Sequence, residues 1–147
     1  MARRTGPRAA TAETIARPAQ VAARRAPQLL IVDDSEDAQE LFRLYLDGSG
    51  FDMIGARNGK HALDLLSGGY QPNLIIVDLL MPVMDGMELI ESLRSDARLA
   101  HVPVLVVSAV DVPKRARLPQ TRYLRKPFRN ADLLANIEEL VGISPRP

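Results

Sequence analysis

The sequence contains no cysteine, so it can form neither a disulfide bond nor a thiolate metal site. Its two histidines, His61 and His101, lie far apart and lack the spacing of paired metal ligands. No apolar run approaches the roughly 20 residues that a membrane-spanning helix needs, and no signal-peptide core is present near the start. A cytoplasmic protein without a membrane span is therefore expected.

The charge is nearly balanced, at +1 overall, but it is unevenly distributed. Residues 1–27 carry six arginines and one glutamate, a net charge of +5, which leaves −4 for the rest of the chain. This stretch is rich in Ala, Arg and Pro and has few large apolar side chains, so burial cannot offset the entropy lost on ordering. We expect a disordered basic extension over 1–27.

Three roles are open for this extension. A solvated tail, or an artefact of start-site choice, is the interpretation that a block of like charge favours. A basic arm would instead contact nucleic acid, an acidic membrane or an acidic partner. An organelle transit peptide would also be rich in arginine and poor in acids, but this extension has little serine.

The rest of the chain alternates short apolar runs with segments in which apolar residues recur at helical spacing. The predicted strands cover residues 29–32, 51–55, 74–77, 104–107 and 121–125. The predicted helices cover residues 35–47, 58–67 and 85–94, and a last helix, capped by Asn130, extends to residue 141. This alternation predicts an α/β domain over 28–142, followed by a short tail at 143–147.

The composition of the predicted strands suggests their order in the sheet. The first, third and fourth strands are continuous apolar runs, as central parallel strands are, whereas the second and fifth alternate as edge strands do. We therefore predict a doubly wound, five-stranded parallel sheet with the order 2-1-3-4-5. In such a sheet, ligands bind outside the carboxyl ends of the strands, at the switch point between strands 1 and 3.

Polar residues follow the predicted strands where these carboxyl ends should meet. They are Asp33, Asp34, Asp78, Ser108 and Lys126. Three carboxylates in one crevice repel one another and raise each other's pKa values, a conflict that a divalent cation resolves. Oxygen ligands without His or Cys select a hard cation, and we therefore predict Mg²⁺.

The same residues suit a phosphoryl group. Lys126 supplies a compact positive charge, and Ser108 supplies a hydroxyl that can donate to an oxyanion. Asp78 ends a wholly apolar strand, where a carboxylate is costly to place unless it is used. Asp78 would be the nucleophile that forms an aspartyl phosphate, and Mg²⁺ would neutralise the charge that develops during in-line transfer.

Residues 28–142 resemble the receiver domain of two-component response regulators. The matching segments follow one another in the family's order and are IVDD at 31–34, NLIIVD at 73–78, MPVMDG at 81–86, VVSA at 106–109 and YLRKPF at 123–128. The resemblance implies a flavodoxin-like receiver fold of the stand-alone, single-domain type. It also implies a phosphoryl donor, either a sensor histidine kinase or a phosphotransfer protein.

The resemblance further implies which residues bind the metal and accept the phosphoryl group. Asp78 is the implied phosphoacceptor, and Asp33 and Asp34 are the acids of the Mg²⁺ site. Of these three residues, Asp34 and Asp78 would ligate the ion directly. The backbone carbonyl of Leu80 would complete the protein ligands.

Other implied roles concern the phosphorylated state. Ser108 and Lys126 would hold the phosphoryl oxygens, while Ser108 and Tyr123 would reorient as the switch. The Lys126–Pro127 peptide bond would be cis, which is plausible because cis bonds occur mainly before proline. Phosphorylation adds about −1.5 to −2 charges and would shift the domain between two pre-existing states.

A phosphorylation switch or relay, rather than an enzyme, is the expected function. Mg²⁺-dependent self-phosphorylation and slow autodephosphorylation would be its only reactions. No output domain is expected after Val141, so the signal would pass through contact with an unidentified downstream protein. Direct DNA binding is not expected, because no helix-turn-helix segment is predicted outside the receiver domain.

Alternative interpretations remain open. Asp33 and Asp34 could simply cap the helix that follows them, and Tyr123 could pack on an edge strand without switching. The whole chain could be a receiver-like interaction module that does not switch. An Asp-plus-Mg²⁺ hydrolase would need a second catalytic acid and a substrate cap, and neither the apolar Leu80 nor the short loops provide them.

The segment at 111–119 departs from the family's pattern. It contains two prolines and leaves room for a shortened fourth helix of at most about two turns. The basic residues of this region are Lys114, Arg115, Arg117, Arg122, Arg125 and Arg129. They predict a positively charged output face that suits an acidic partner.

Two apolar residues near the predicted acceptor affect the expected lifetime of its phosphoryl group. Leu80 and Val110 lie two positions beyond Asp78 and Ser108. Neither side chain can orient a hydrolytic water by hydrogen bonding. A comparatively long-lived phosphoryl group is therefore predicted.

Overall fold

The computed structural model describes residues 26–111 and 120–142. Its strands are β1 (Gln28–Val32), β2 (Asp52–Ala56), β3 (Leu74–Asp78), β4 (Val104–Ser108) and β5 (Thr121–Arg125). Its helices are α1 (Glu36–Leu46), α2 (Gly59–Ser67), α3 (Gly86–Ser95) and α4 (Asn130–Val141). The predicted short helix at 111–119 lies outside the described residues except for Asp111, as do residues 1–25 and the tail at 143–147.

The five strands form one parallel sheet in the order β2-β1-β3-β4-β5, which confirms the predicted topology. β1, β3 and β4 are buried along almost their whole length, because helices cover both faces of the sheet. β2 and β5 contain exposed positions between half-buried ones, as predicted for edge strands. From β1 the chain continues to β2 on one side and later to β3 on the other, so the switch point lies between β1 and β3.

Two layers of apolar side chains cover the sheet, one on each face. α2 and α3 pack on one face, where Leu30 and Val32 of β1 are completely buried. α1 and α4 pack on the other face, against Leu29 and Ile31. Alternate residues of one strand thus enter opposite cores, and burial of each such side chain stabilises the fold by about 1.5–3 kcal/mol. No helix in the described ranges is long and apolar enough to cross a membrane.

Side-chain caps begin three of the helices close to the carboxyl ends of the strands. Ser35, Asn58 and Asp85 accept hydrogen bonds from backbone N–H groups in the first turns of α1, α2 and α3, at 3.2, 2.7 and 2.9 Å. Each cap satisfies an N–H group that has no partner within the helix and stabilises the helix by about 1 kcal/mol. The loops that surround the predicted site therefore leave the sheet in defined directions.

The structure contradicts one alternative and one expectation about helix caps. Ser35 caps α1, so Asp33 and Asp34 are not the caps of the helix that follows them. The last helix begins at Asn130 but is not capped by it, because Arg129 occupies the cap position and makes no side-chain hydrogen bond there. The sequence around residue 130 contains an ordinary capping residue, but the chain enters the helix one residue earlier.

Candidate functional site

The sheet order places the carboxyl ends of four strands at one edge of the domain. β3 ends with Asp78 and β4 with Ser108, while Asp33 and Asp34 follow β1. Lys126 follows β5, and its backbone N–H donates to the carbonyl oxygen of Ser108 at 2.8 Å. These five residues therefore lie at the edge where doubly wound sheets bind their ligands.

The carboxylates of Asp33, Asp34 and Asp78 form a cluster. One oxygen atom from each side chain lies within 4.8 Å of the other two. Asp33 is buried, Asp78 is half-buried and Asp34 is exposed. The cluster is thus closed toward the sheet and open toward solvent, where an ion or a phosphoryl group can enter.

Asp33 is the buried acid of the cluster. Burial raises the pKa of its carboxyl above the ordinary value of 3.8, against the opposing effect of a 2.9 Å hydrogen bond from the backbone N–H of Ser35. The negative charge of Asp78 also raises this pKa, and the positive charge of Lys126 lowers it. Asp33 Oδ2 is buried and has no hydrogen-bond partner in the described part of the chain. A buried, unsatisfied carboxylate oxygen among further oxygen donors fits a hard cation such as Mg²⁺.

Lys126 lies between two of the carboxylates. Its Nζ atom is 3.7 Å from Asp78 Oδ2 and 3.9 Å from Asp33 Oδ2. Lys126 therefore forms an ion pair with each carboxylate, but both N–O distances are longer than a direct hydrogen bond. The ammonium group can still donate hydrogen bonds to an incoming oxygen atom. The Lys126–Pro127 peptide bond is cis, as predicted.

The remaining predicted site residues lie at the end of β4, just after β3 and within β5. Ser108 is buried, and its Oγ atom accepts a hydrogen bond from the backbone N–H of Val110 at 3.1 Å. Leu80 is exposed, and its backbone N–H donates to Asp78 Oδ1 at 3.2 Å. Tyr123 is half-buried and packs against the core beneath α2 and α3. The metal, phosphoryl and switch roles of these residues stay predictions.

Three residues near the site were not predicted to contribute to its geometry. Gly86 begins α3 so close to Asp78 that an added Cβ atom would lie 2.7 Å from the Asp78 carbonyl oxygen. Gly59 begins α2, and its N–H donates to the carbonyl oxygen of Met84 at 3.3 Å. Gln39 reaches from α1 to three backbone carbonyl groups. Gly86 could have been identified from the MPVMDG segment, which it ends. The contacts of Gln39 could not, because no local sequence pattern indicates them.

A doubly wound sheet that collects three aspartates and a lysine at its switch point is the architecture of a signal receiver domain. The chain belongs to the response regulator receiver domain family, whose sequence pattern matches residues 29–138. This match covers most of the chain and includes all five residues of the strand-end site.

Two curated relatives are similar to the chain over most of its length. The polar-differentiation response regulator DivK of Brucella anthropi is 33% identical over 118 residues, which cover 78% of this chain and 95% of DivK. The protein of the same name from Brucella ovis is 32% identical with the same coverage. Both relatives are thus matched almost from end to end.

Solved structures agree with this assignment. The signal receiver domain of a signal transduction histidine kinase from Syntrophus aciditrophicus has a TM-score of 0.72 and 30% identity, over 83% of this chain and 96% of that domain. The chemotaxis protein CheY4 of Vibrio cholerae has a TM-score of 0.69 and 26% identity, over 78% of this chain and 98% of CheY4. The chain therefore has the flavodoxin-like fold of receiver domains.

Proposed function

We propose that this chain is a stand-alone response regulator that accepts a phosphoryl group on Asp78 from a sensor histidine kinase or a phosphotransfer protein. The observation that carries the proposal is the position of Lys126 Nζ, 3.7 Å from Asp78 Oδ2 and 3.9 Å from Asp33 Oδ2. A cation beside a half-buried carboxylate suits a nucleophile that must receive an anionic group.

In the proposed reaction, a carboxylate oxygen of Asp78 attacks the phosphorus atom of a phosphohistidine. The new O–P bond forms as the P–N bond of the donor breaks, and the departing imidazole takes up one proton from solvent. Lys126 then donates to the phosphoryl oxygens, which carry most of the added charge. The Ser108 oxygen accepts from the backbone N–H of Val110, so the hydroxyl hydrogen would be available to donate to another of these oxygens.

Asp33, Asp34 and Asp78, with the backbone carbonyl of Leu80, would hold the Mg²⁺ ion. The unsatisfied Oδ2 atom of Asp33 and the exclusively oxygen-based donor set support this assignment. The bound ion would neutralise charge on the transferring phosphoryl group. It would also relieve the repulsion among the three carboxylates, which explains why they can share one crevice.

An apolar groove beside the acidic cluster supports docking of a helix from the donor. The groove has a volume of about 390 Å³ and lies between α1 and the chain that follows β5, where Phe128 forms part of its wall. Lys126 lines the groove as well as the cluster, so a helix seated there would bring its histidine close to the acceptor. Leu41 of α1 lines the groove and is 47% exposed, and Leu44, three residues further along the same helix, is 63% exposed.

Phosphorylation by a small donor tests the proposed acceptor without any partner protein. We expect intact-mass measurements with acetyl phosphate and Mg²⁺ to show a phosphoryl adduct on the wild type and none on Asp78→Asn. Asp64→Asn, which alters an exposed aspartate of α2, is the matched control and should be modified normally. Addition of EDTA should prevent modification of every variant. A folded wild-type protein that is never modified would instead support a non-switching interaction module.

A further inference from the structure

The side-chain amide of Gln39 contacts three backbone carbonyl groups at once. Its Nε2 atom lies 3.1 Å from the carbonyl oxygens of Ile31, Asp33 and Ala56. An amide nitrogen has only two hydrogens, so at least one of them is shared between two acceptors. The opposite amide orientation would place an oxygen against three carbonyl oxygens, and the assigned orientation is therefore the one that electrostatics permits.

These contacts converge on Asp33, the buried acid of the cluster. The backbone N–H of Asp33 donates to the carbonyl oxygen of Ala56 at 3.0 Å. Gln39 binds that same carbonyl and also the carbonyl of Asp33 itself. The N–H of Asp33 is thus held by the carbonyl of Ala56, and the Gln39 amide links the carbonyl of Asp33 to that same carbonyl and to Ile31 of β1.

Gly55 provides the space that this arrangement needs. A Cβ atom added at Gly55 would lie 2.4 Å from Gln39 Oε1, which would force the amide to move. Oε1 itself is buried and has no hydrogen-bond partner among residues 26–111 and 120–142. The side chain thus leaves one buried oxygen unsatisfied while its nitrogen serves three carbonyls, a cost that an unconstrained glutamine would avoid.

We infer that Gln39 is a positioning residue for the acidic cluster, which it serves by holding the backbone of Asp33. Without a cation, the carboxylates of Asp33, Asp34 and Asp78 repel one another, and the turn after β1 would relax outward. The amide of Gln39 opposes that movement and keeps the oxygen atoms close enough to share one ion. This inference rests on the proposed Mg²⁺-dependent function, since it concerns the affinity of the same site.

Mg²⁺ titration of the unphosphorylated full chain, followed by NMR, tests the inference apart from any phosphotransfer. Gln39→Met keeps the length of the side chain but removes its donors, and Gly55→Ala displaces the amide without changing Gln39. We expect each substitution to weaken Mg²⁺ binding by about tenfold, the lower end of the effect usual for groups that orient metal ligands. In a Gln39→Ala background the clash is absent, so adding Gly55→Ala should change the affinity less than twofold, roughly the error of such a comparison.

A control variant separates positioning from general destabilisation. Ile137→Val removes one methyl group from the buried side of α4, away from the acidic cluster, and should lower stability without changing Mg²⁺ affinity. If Gln39→Met and Gly55→Ala lose stability like this control but bind Mg²⁺ as the wild type does, Gln39 is only structural and the inference is overturned. A wild-type chain that binds no Mg²⁺ would overturn the proposed function together with this inference.

Discussion

At the scale of single residues, the unfavourable electrostatics of the site are concentrated at Asp33. Its side chain is 2% exposed, it faces another carboxylate, and one of its oxygens has no hydrogen-bond partner within the described ranges. Burial of such a group opposes folding when it is ionised, because the unfolded chain hydrates the charge better. Asp33 therefore destabilises the folded protein in the absence of a cation, and a cation that binds this carboxylate would offset that cost.

Replacement of Asp33 by asparagine should stabilise the Mg²⁺-free protein at neutral pH. The pKa of Asp33 is raised by burial in the folded state, so the folded protein takes up a proton more readily than the unfolded chain, whose pKa is near 3.8. The destabilising effect is complete above the folded pKa and fades as the pH falls through that value toward 3.8. Urea unfolding across a pH series should show the advantage of Asp33→Asn at pH 7 and its decline in acid. An Asp33→Asn variant that is less stable than the wild type at pH 7 would contradict this account.

Leu80 and Val110 should slow hydrolysis of the phosphorylated protein. They are 60% and 42% exposed near Asp78 and Ser108, yet neither can direct a water molecule. We expect Leu80→Asn/Val110→Glu to lose its phosphoryl group several times faster than the wild type in Mg²⁺ buffer, as measured by the decay half-life after donor removal. Leu44→Asn, an equally exposed site on α1, should decay at the wild-type rate. Equal half-lives in all three proteins would show that Leu80 and Val110 do not slow hydrolysis of the phosphoryl group.

At the scale of elements, α1 contributes to two separate tasks. Its buried residues Phe42 and Leu46 pack against the sheet, and Phe42 lies 6.4 Å from Phe128 between ring centroids. Its outer surface carries the exposed Leu41 and Leu44. The helix can therefore be altered on its outer surface without loss of the inner contacts that hold it in place.

Charges introduced on this outer surface should separate docking from chemistry. We expect Leu41→Glu/Leu44→Glu to reduce the kcat/KM of phosphotransfer from a histidine kinase of the host by about tenfold or more, the effect usual for central apolar contacts. Modification by acetyl phosphate should be unchanged, because the acidic cluster is intact. Ile54→Glu, on the exposed part of β2, serves as the control and should leave both reactions unchanged. Equal phosphotransfer to the double variant and the wild type would place the docking surface elsewhere.

Arg94 links a helix to β5 and to the segment before β4 through contacts that the sequence did not indicate. From α3, its guanidinium donates to the carbonyl oxygens of Ala100 and Val102 before β4 and to Thr121 Oγ1 at the start of β5, at 3.1, 3.0 and 3.1 Å. Burial lowers the pKa of Arg94 from its ordinary value. These bonds tie an edge strand to the neighbouring helix at the end of the sheet opposite the acidic cluster.

At the scale of the whole molecule, the sheet order could be predicted from the sequence because strands that are buried on both faces are apolar at almost every position. Continuous apolar runs identify strands covered on both faces, and only one common arrangement places those strands in the centre. The contact of Gln39 with Ala56 has no comparable record, because both residues have ordinary local patterns and meet only after β1 and β2 pair. The same holds for Gly55, whose missing side chain matters only because of a glutamine on another element.

The predicted positive output face is only partly visible in the described residues. The arginines of β5 and the following turn each face an acid, in the pairs Arg122–Glu139, Arg125–Asp111 and Arg129–Asp132. Exposed ion pairs of this kind contribute little stability, but they cancel much of the local charge. Lys114, Arg115 and Arg117 lie outside the described residues, and the positive output face stays a prediction.

The division of the core into two layers has a consequence for how signals could be combined. The apolar groove proposed for donor docking opens beside α1 on one face of the sheet, whereas Tyr123 packs beneath α2 and α3 on the other. A donor seated in this groove would leave the Tyr123 face uncovered. If the proposed groove takes the donor and the Tyr123 face takes a downstream protein, the two partners would use different surfaces, and one domain would hold both in a ternary assembly.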